Sequence, residues 1–185
     1  MIEKIIYDKN SHFNLANLFT MVNIASGSLA IYFITHGSFF LAATFAWIGG
    51  AFDIFDGKIA RKHGLSSEFG IQLDSYADFL SFVIVPTMFM FFAIYEHSGV
   101  NLIIVALVSI YYIIAGLRRL IDFNLKSDEG EVAKYFEGVP TPLGGILLWI
   151  LYLVWLATSL NPYILLGCTA VIGALLNSKV KIPHP

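Results

Sequence analysis

The sequence predicts an all-α integral membrane protein: six transmembrane helices and a short N-terminal amphipathic helix on the membrane surface. Three observations predict it. Across 185 residues the composition is 57% hydrophobic and 13% charged, whereas a soluble domain carries about 25% charge. Uncharged runs recur at lengths that suit a bilayer, whose hydrocarbon core takes about 20 residues of helix. All 11 Lys and Arg residues fall on one side of a six-helix plan.

The elements follow in order. Residues 1–12 are too polar for a secretory signal, and Ile2, Ile5 and Ile6 give them one apolar side, which suits an interfacial helix. Span one covers residues 13–35, where Asp, Glu, Lys and Arg are absent. Span two covers 38–62: Ser38 to Phe52 is uncharged, and the helix continues through two aspartates to Lys62. Span three covers 70–95, with its charges confined to its first part and Pro86 expected to kink it. Span four covers 98–124, its uncharged run ending at Arg118-Arg119. A long uncharged run from Gly138 to Ser178 is broken at Asn161-Pro162, because proline cannot continue a helix and disfavours the α conformation before it. It therefore divides into span five, 139–159, and span six, 162–178. No soluble domain, linker or repeat interrupts the plan, so residues 1–185 read as a single membrane domain.

Lys4 and Lys9 lie in the N-terminal arm, and Lys58, Arg61 and Lys62 at the turn between spans two and three. Arg118, Arg119, Lys126 and Lys134 surround the turn between spans four and five, while Lys179 and Lys181 follow span six. The opposite turns carry no Lys or Arg. The positive-inside rule puts the basic side, and with it both termini, in the cytoplasm of a multi-pass cell-membrane protein. A net charge of −2 gives no reason to expect a nucleic-acid partner. Cys168 is the lone cysteine, so no intramolecular disulfide forms.

The stretch DIFDGKIARKHGLSSEFGIQLDSYAD, Asp53 to Asp78, holds four aspartates in this apolar chain. Asp53 and Asp56 are three apart, and Asp74 and Asp78 four apart, so each pair shares a helix face. A short turn makes spans two and three antiparallel neighbours, which lets the pairs converge. Asp53 lies about 13 Å along the helix from Lys62, inside the cytoplasmic edge of the membrane. Four uncompensated carboxylates there are costly, and Lys58 and Arg61 are too few to neutralise them. A divalent cation is the economical solution, and oxygen-only ligands suit Mg²⁺, Mn²⁺ or Ca²⁺ rather than zinc. Two ions balance four charges, and such a pair suits displacement at phosphorus. Gly57 and Ala60 share the face of Asp53 and Asp56 and leave room for a ligand, and Gly70 suits a close approach or a turn. Carboxylates also line ion paths, so a divalent-cation transporter is the alternative from another class.

The pattern Asp53-x2-Asp56-Gly57-x2-Ala60-Arg61-x8-Gly70-x3-Asp74-x3-Asp78 fixes eight positions over 26 residues. It resembles the signature of the CDP-alcohol phosphatidyltransferase family, and the six-span plan extends the resemblance over most of the chain. Members of that family exchange the CMP of a CDP-linked lipid for an alcohol. The resemblance implies that Asp53, Asp56 and Asp74 hold metal, and that Asp78 bridges metal and reacting alcohol as general base. It further implies that Gly57, Ala60, Arg61 and Gly70 bind the CDP part, and that the protein is a homodimer.

Two stretches bear on the alcohol. In span one, Asn17, Thr20 and Asn23 lie within two turns, with groups suited to cytosine, ribose or diphosphate; helix–helix hydrogen bonding uses the same residue types. In YFEGVPTPLGG, Gly138, Pro140, Pro142 and Gly144-Gly145 suggest a rigid start to span five followed by close helix packing. Both stretches resemble the phosphatidylserine synthase branch, which implies L-serine as the acceptor. Glycerol 3-phosphate or inositol (phosphate) is the alternative with the same chemistry. Arg118 and Arg119 are candidates for holding the serine carboxylate or a lipid phosphate; adjacent helix residues lie about 100° apart, so only one faces a given site. Membrane-edge anchoring is the other reading of that pair.

Overall fold

The computed structural model describes residues 5–128, 135–179 and 181–183. Its helices are α1 (Leu15–Thr35), α2 (Phe39–His63), α3 (the helical stretch Glu68–Tyr95), α4 (Leu102–Asp128), α5 (Thr141–Thr158) and α6 (Pro162–Leu176). The first five are long and apolar enough to cross a membrane, while α6 is equally apolar but has 15 residues. Large apolar side chains stand exposed along them, among them Phe40, Trp47, Ile103, Leu107 and Leu153. Such surfaces belong against lipid rather than water.

Local chemistry sets the helix ends. Asn14 accepts a hydrogen bond from the Asn17 N–H at 2.9 Å and caps α1. Gly64, at φ 65°, closes α2 in the left-handed conformation, just after Arg61 and Lys62 have placed cations at the negative end of the helix dipole. The Ser67 hydroxyl accepts from the Gly70 N–H at 3.1 Å and starts α3. Asn161 caps α6 through the Tyr163 N–H at 3.0 Å, with Pro162 at its first position. The start of α4 lies later than residue 98, because Gly99 at φ 72° completes a turn first and the Asn101 side chain accepts from the Ile103 N–H. Pro86 sits within α3 in a short α segment, Val85–Met90, between two π-helical segments, Phe79–Ile84 and Phe91–Tyr95. Widening the helix is one way the chain accommodates the missing N–H of proline.

One expectation needs correction. Ile5 and Ile6 are helical, but Tyr7–Phe13 run as turns. There Asp8 accepts from the Asn10 N–H and Ser11 from the Phe13 N–H, local bonds that compete with a helix. The rest of the expected interfacial helix, residues 1–4, lies outside the described residues. The architecture is all-helical as expected, with one short strand pair added to it. Tyr135–Glu137 (β1) pairs antiparallel with Lys181–Pro183 (β2), Phe136 standing opposite Ile182. The two segments meet because the lead-in to α5 runs against the end of α6, where the Val139 N–H donates to Leu175 O.

The chain divides into two compact units, Met1–Ser81 and Phe82–Pro185. In the first, α1 packs along α2 and against the start of α3. The buried face of α1 is polar, with Asn14, Asn17, Thr20, Asn23 and Ser26 repeating every third residue before Gly27 and Ala30. In the second unit, Met90, Ile94, Tyr95, Val100, Val105, Leu165 and Leu166 form an apolar core. Phe89 packs against Trp149 in a tilted arrangement, with ring centroids 4.5 Å apart. Glycines bring its helices close: a Cβ at Gly145 would lie 2.8 Å from Phe82 O, and one at Gly173 2.9 Å from the Tyr111 ring.

Candidate active site

All four signature aspartates lie in the first unit. Asp53 and Asp56 are on α2, Asp74 and Asp78 on α3. One carboxylate oxygen from each of Asp53, Asp56 and Asp74 lies within 4.8 Å of the others. Asp78 stands one turn beyond Asp74 on α3, beside the Asp53 carboxyl. Asp56 is buried, Asp53 half-buried and Asp74 exposed, so the cluster has a closed floor and an open side. Among the described residues no Lys or Arg forms an ion pair with any of them.

The donor set passes the test for a hard divalent cation. Three carboxylate oxygens converge on one point, and no nitrogen or sulfur ligand stands among them. Carboxylates held this close without a cation repel one another, since charges about 4 Å apart interact strongly wherever the effective dielectric is below that of water.

Helix α1 supplies the hydrogen bonds that hold the acids. Thr20 Oγ1 donates to Asp56 Oδ2 at 2.7 Å. Asn23 Nδ2 donates to Asp53 Oδ1 at 3.1 Å, and Ser81 Oγ donates to Asn23 Oδ1 at 2.6 Å. Asn14, fully buried, donates to Leu65 O at 3.4 Å and so ties the cap of α1 to the turn between α2 and α3. Asn17 donates to His12 O at 3.2 Å.

Beside the cluster lies a cavity of ≈ 200 Å³. Thr20, Asp56, Gly57, Ala60, Arg61 and Asp74 line it, with Asn17, Gly70, Ser66 and Ser67 completing its polar wall. Gly57 leaves room: a Cβ there would meet nothing nearer than the Arg61 guanidinium at 3.5 Å. Gly70 is needed for close approach, since a Cβ would lie 2.8 Å from Asn17 Oδ1.

The structure thus gathers Asp53, Asp56 and Asp74 into one cluster, with Asp78 beside Asp53, and sets Asn17, Thr20, Gly57, Ala60, Arg61 and Gly70 around the adjoining cavity. Asn23 lies against Asp53, its amide bonded at both ends. Arg118 and Arg119 lie in the second unit and part company there. Arg118 is exposed and pairs with Asp122 at 3.7 Å. Arg119 is buried and donates from Nε to Val139 O at 3.2 Å and from Nη2 to Gly138 O at 3.5 Å. Sequence reasoning missed Asn14 and Ser81. The three-residue spacing from Asn14 to Asn17, and from Asp78 to Ser81, was the available signal.

Apolar spans, and in the first unit a carboxylate cluster with a small cavity alongside that several polar side chains line, define a multi-pass membrane protein suited to holding a hard cation against an anionic ligand. The family profile of CDP-alcohol phosphatidyltransferases matches residues 13–175. The chain is 32% identical over 168 residues to the CDP-diacylglycerol–serine O-phosphatidyltransferase of Bacillus subtilis, covering 90% of this chain and 88% of that one. It is 31% identical over 170 residues to the enzyme of the same name from Methanocaldococcus jannaschii, covering 91% and 73%. Archaetidylserine synthase of Methanothermobacter thermautotrophicus is 28% identical over 172 residues, covering 92% and 70%. The chain belongs to the CDP-alcohol phosphatidyltransferase family. It is accordingly a membrane transferase of phospholipid biosynthesis.

Proposed function

We propose that this protein transfers a phosphatidyl group, or its diether equivalent, from a CDP-lipid to the hydroxyl of L-serine and releases CMP. The observation that carries the chemistry is the convergence of Asp53, Asp56 and Asp74 within 4.8 Å beside a cavity whose lining includes Asn17 and Arg61. Serine as acceptor is supported by the similarity to relatives named for serine, which extends over nine-tenths of the chain.

Asp53, Asp56 and Asp74 would hold Mg²⁺ or Mn²⁺, with Ca²⁺ also compatible with the oxygen donors, and four aspartates suit two ions. An ion held there would supply positive charge to offset the diphosphate and the departing CMP phosphate. Gly57, Ala60 and Gly70 keep the cavity open for the CDP group. Arg61 and the second amide proton of Asn17 offer it hydrogen-bond donors, whereas Thr20, whose single hydroxyl proton goes to Asp56, lines the wall. Asp78 takes the proton of the serine hydroxyl as its oxygen attacks the lipid-bearing phosphorus. The new O–P bond forms as the P–O bond to CMP breaks, and CMP leaves with that electron pair. No enzyme-linked intermediate is formed.

In this reading α6 is the sixth span, the whole chain works as one membrane domain, and the basic turns place the site and both termini at the cytoplasmic face. Two copies form a homodimer. Of the two arginines, Arg118 would be the one to hold a serine carboxylate or a lipid phosphate, since it is exposed whereas Arg119 donates to backbone carbonyls.

The test is purified protein with CDP-diacylglycerol and Mn²⁺ or Mg²⁺, offered serine, glycerol 3-phosphate, inositol and inositol phosphate separately. CMP released with serine and no membrane gradient supports the proposal. Turnover with another acceptor alone overturns the serine assignment and leaves the family chemistry standing. Metal movement across vesicles without CMP release would favour a transporter.

A further inference from the structure

We propose that Ser81 is a positioning residue for the metal site, acting through Asn23 on Asp53. The inference rests on the carboxylate cluster being the metal site. Ser81 lies three residues beyond Asp78 on α3 and is 4% exposed. Its hydroxyl donates to Asn23 Oδ1 at 2.6 Å, and the other end of that amide donates to Asp53 Oδ1 at 3.1 Å. Asn23 is itself fully buried. The chain of bonds therefore runs from α3, through α1, to α2.

The chemistry of each link is directional. A carboxylate has only acceptors, so the Asn23 amide must present its NH₂ to Asp53 and its carbonyl to the opposite side. That carbonyl needs a donor, and the Ser81 hydroxyl supplies one. Space is reserved for the arrangement: Gly49 on α2 is buried, and a Cβ there would lie 2.9 Å from Asn23 Oδ1. Asn23, pinned at both ends, fixes one lone pair of Asp53 and leaves the rest of that carboxylate to face Asp56 and Asp74. Residues that orient a metal ligand in this way commonly change metal affinity by about 10–100-fold when removed. Thr20 does the same for Asp56 directly; Ser81 does it at one remove.

The experiment measures Mn²⁺ binding to purified protein without lipid or serine, by titration calorimetry, alongside thermal unfolding with and without metal. Ser81→Ala is expected to raise the Mn²⁺ dissociation constant by about 10-fold or more. Asn23→Ala should raise it at least as much, and Ser81→Ala should add nothing further in the Asn23→Ala background. Ser28→Ala, which removes an exposed hydroxyl bonded only to its own helix at Ile24 O, should leave the constant unchanged. A purely structural role would lower the unfolding temperature equally in both states with no change in Mn²⁺ affinity, and that result overturns the proposal, as do additive effects in the double variant. If Ser81→Ala does not fold, Asn23→Ala alone decides: unchanged Mn²⁺ affinity breaks the chain at its second link. Failure of the wild type to bind Mn²⁺ would instead remove the metal site on which the inference rests.

Discussion

Thr20 Oγ1 stands 2.7 Å from Asp56 Oδ2, a hydrogen bond that joins α1 to the carboxylate cluster on α2. The same hydroxyl lies 3.2 Å from Ala16 O, but it has one proton, and the shorter, charged acceptor takes it. Asp56 is almost fully buried, so this donor replaces water that cannot reach it. Thr20→Val keeps the shape and deletes the bond. The metal concentration for half-maximal CMP release should rise by about 10–100-fold, and excess metal should recover much of the rate. Unchanged metal dependence would show that the contact does not orient Asp56.

Asp78 differs from the other three aspartates in its place. It lies outside the group whose oxygens converge within 4.8 Å, yet it stands beside Asp53. As the proposed general base, Asp78 would take the proton of the alcohol from beside the metal-holding carboxylates. Asp78→Asn keeps size and polarity but cannot take a proton. Its turnover should fall by about 100- to 10,000-fold, while CDP-lipid affinity in equilibrium binding stays near wild type. Equal losses in binding and rate would make Asp78 a ligand-holding residue instead.

Two glycines separate binding from folding. A Cβ at Gly57 meets only the flexible Arg61 guanidinium at 3.5 Å, in the wall of the cavity. Gly57→Ala should therefore preserve the unfolding temperature or raise it, since alanine favours a helix interior by up to about 1 kcal/mol. Its CDP-lipid affinity should fall because a methyl group enters the space kept for ligand. Gly138 has φ 86°, and a Cβ there would lie 2.6 Å from Leu176 O and 2.9 Å from Ser178 O. Gly138→Ala should destabilise the protein by more than about 1 kcal/mol, seen as a lower unfolding temperature without ligand.

Much of this was legible from residue order because the bilayer simplifies the problem. Uncharged runs, the break at Pro162 and the basic turns located the helices within a few residues. The spacing of Asp53, Asp56, Asp74 and Asp78 placed acids on shared helix faces. What the sequence left open was which polar groups pair. Asn17, Thr20 and Asn23 suit a nucleotide and a neighbouring helix equally well, and the choice depends on distances set by packing: Thr20 and Asn23 reach carboxylates, whereas Asn17 reaches the His12 carbonyl. Ser81 carries no motif and is visible only through its partner. The turns at Tyr7–Phe13 escaped because three isoleucines outweighed the local bonds of Asp8 and Ser11. Strand pairing of β1 with β2 joins segments far apart in sequence, where no periodicity announces a partner.

Arg118 and Arg119 are neighbours in sequence with opposite surroundings, and their substitutions should diverge. Arg119 is 7% exposed and donates to Val139 O and Gly138 O at the start of α5. Arg119→Ala strands those buried carbonyls and should cost about 1–3 kcal/mol per unpaired group; Arg119→Lys cannot reproduce the forked geometry and should restore little. Arg118 makes an exposed i,i+4 pair with Asp122 at 3.7 Å, worth at most about 1 kcal/mol. Arg118→Ala should leave thermal unfolding nearly unchanged. That makes it the clean probe of the acceptor: if Arg118 meets the serine carboxylate, the substitution raises the KM for serine with little change in the KM for CDP-lipid. A rise for CDP-lipid alone assigns Arg118 to a lipid phosphate, and no change in either leaves it as a membrane-edge anchor.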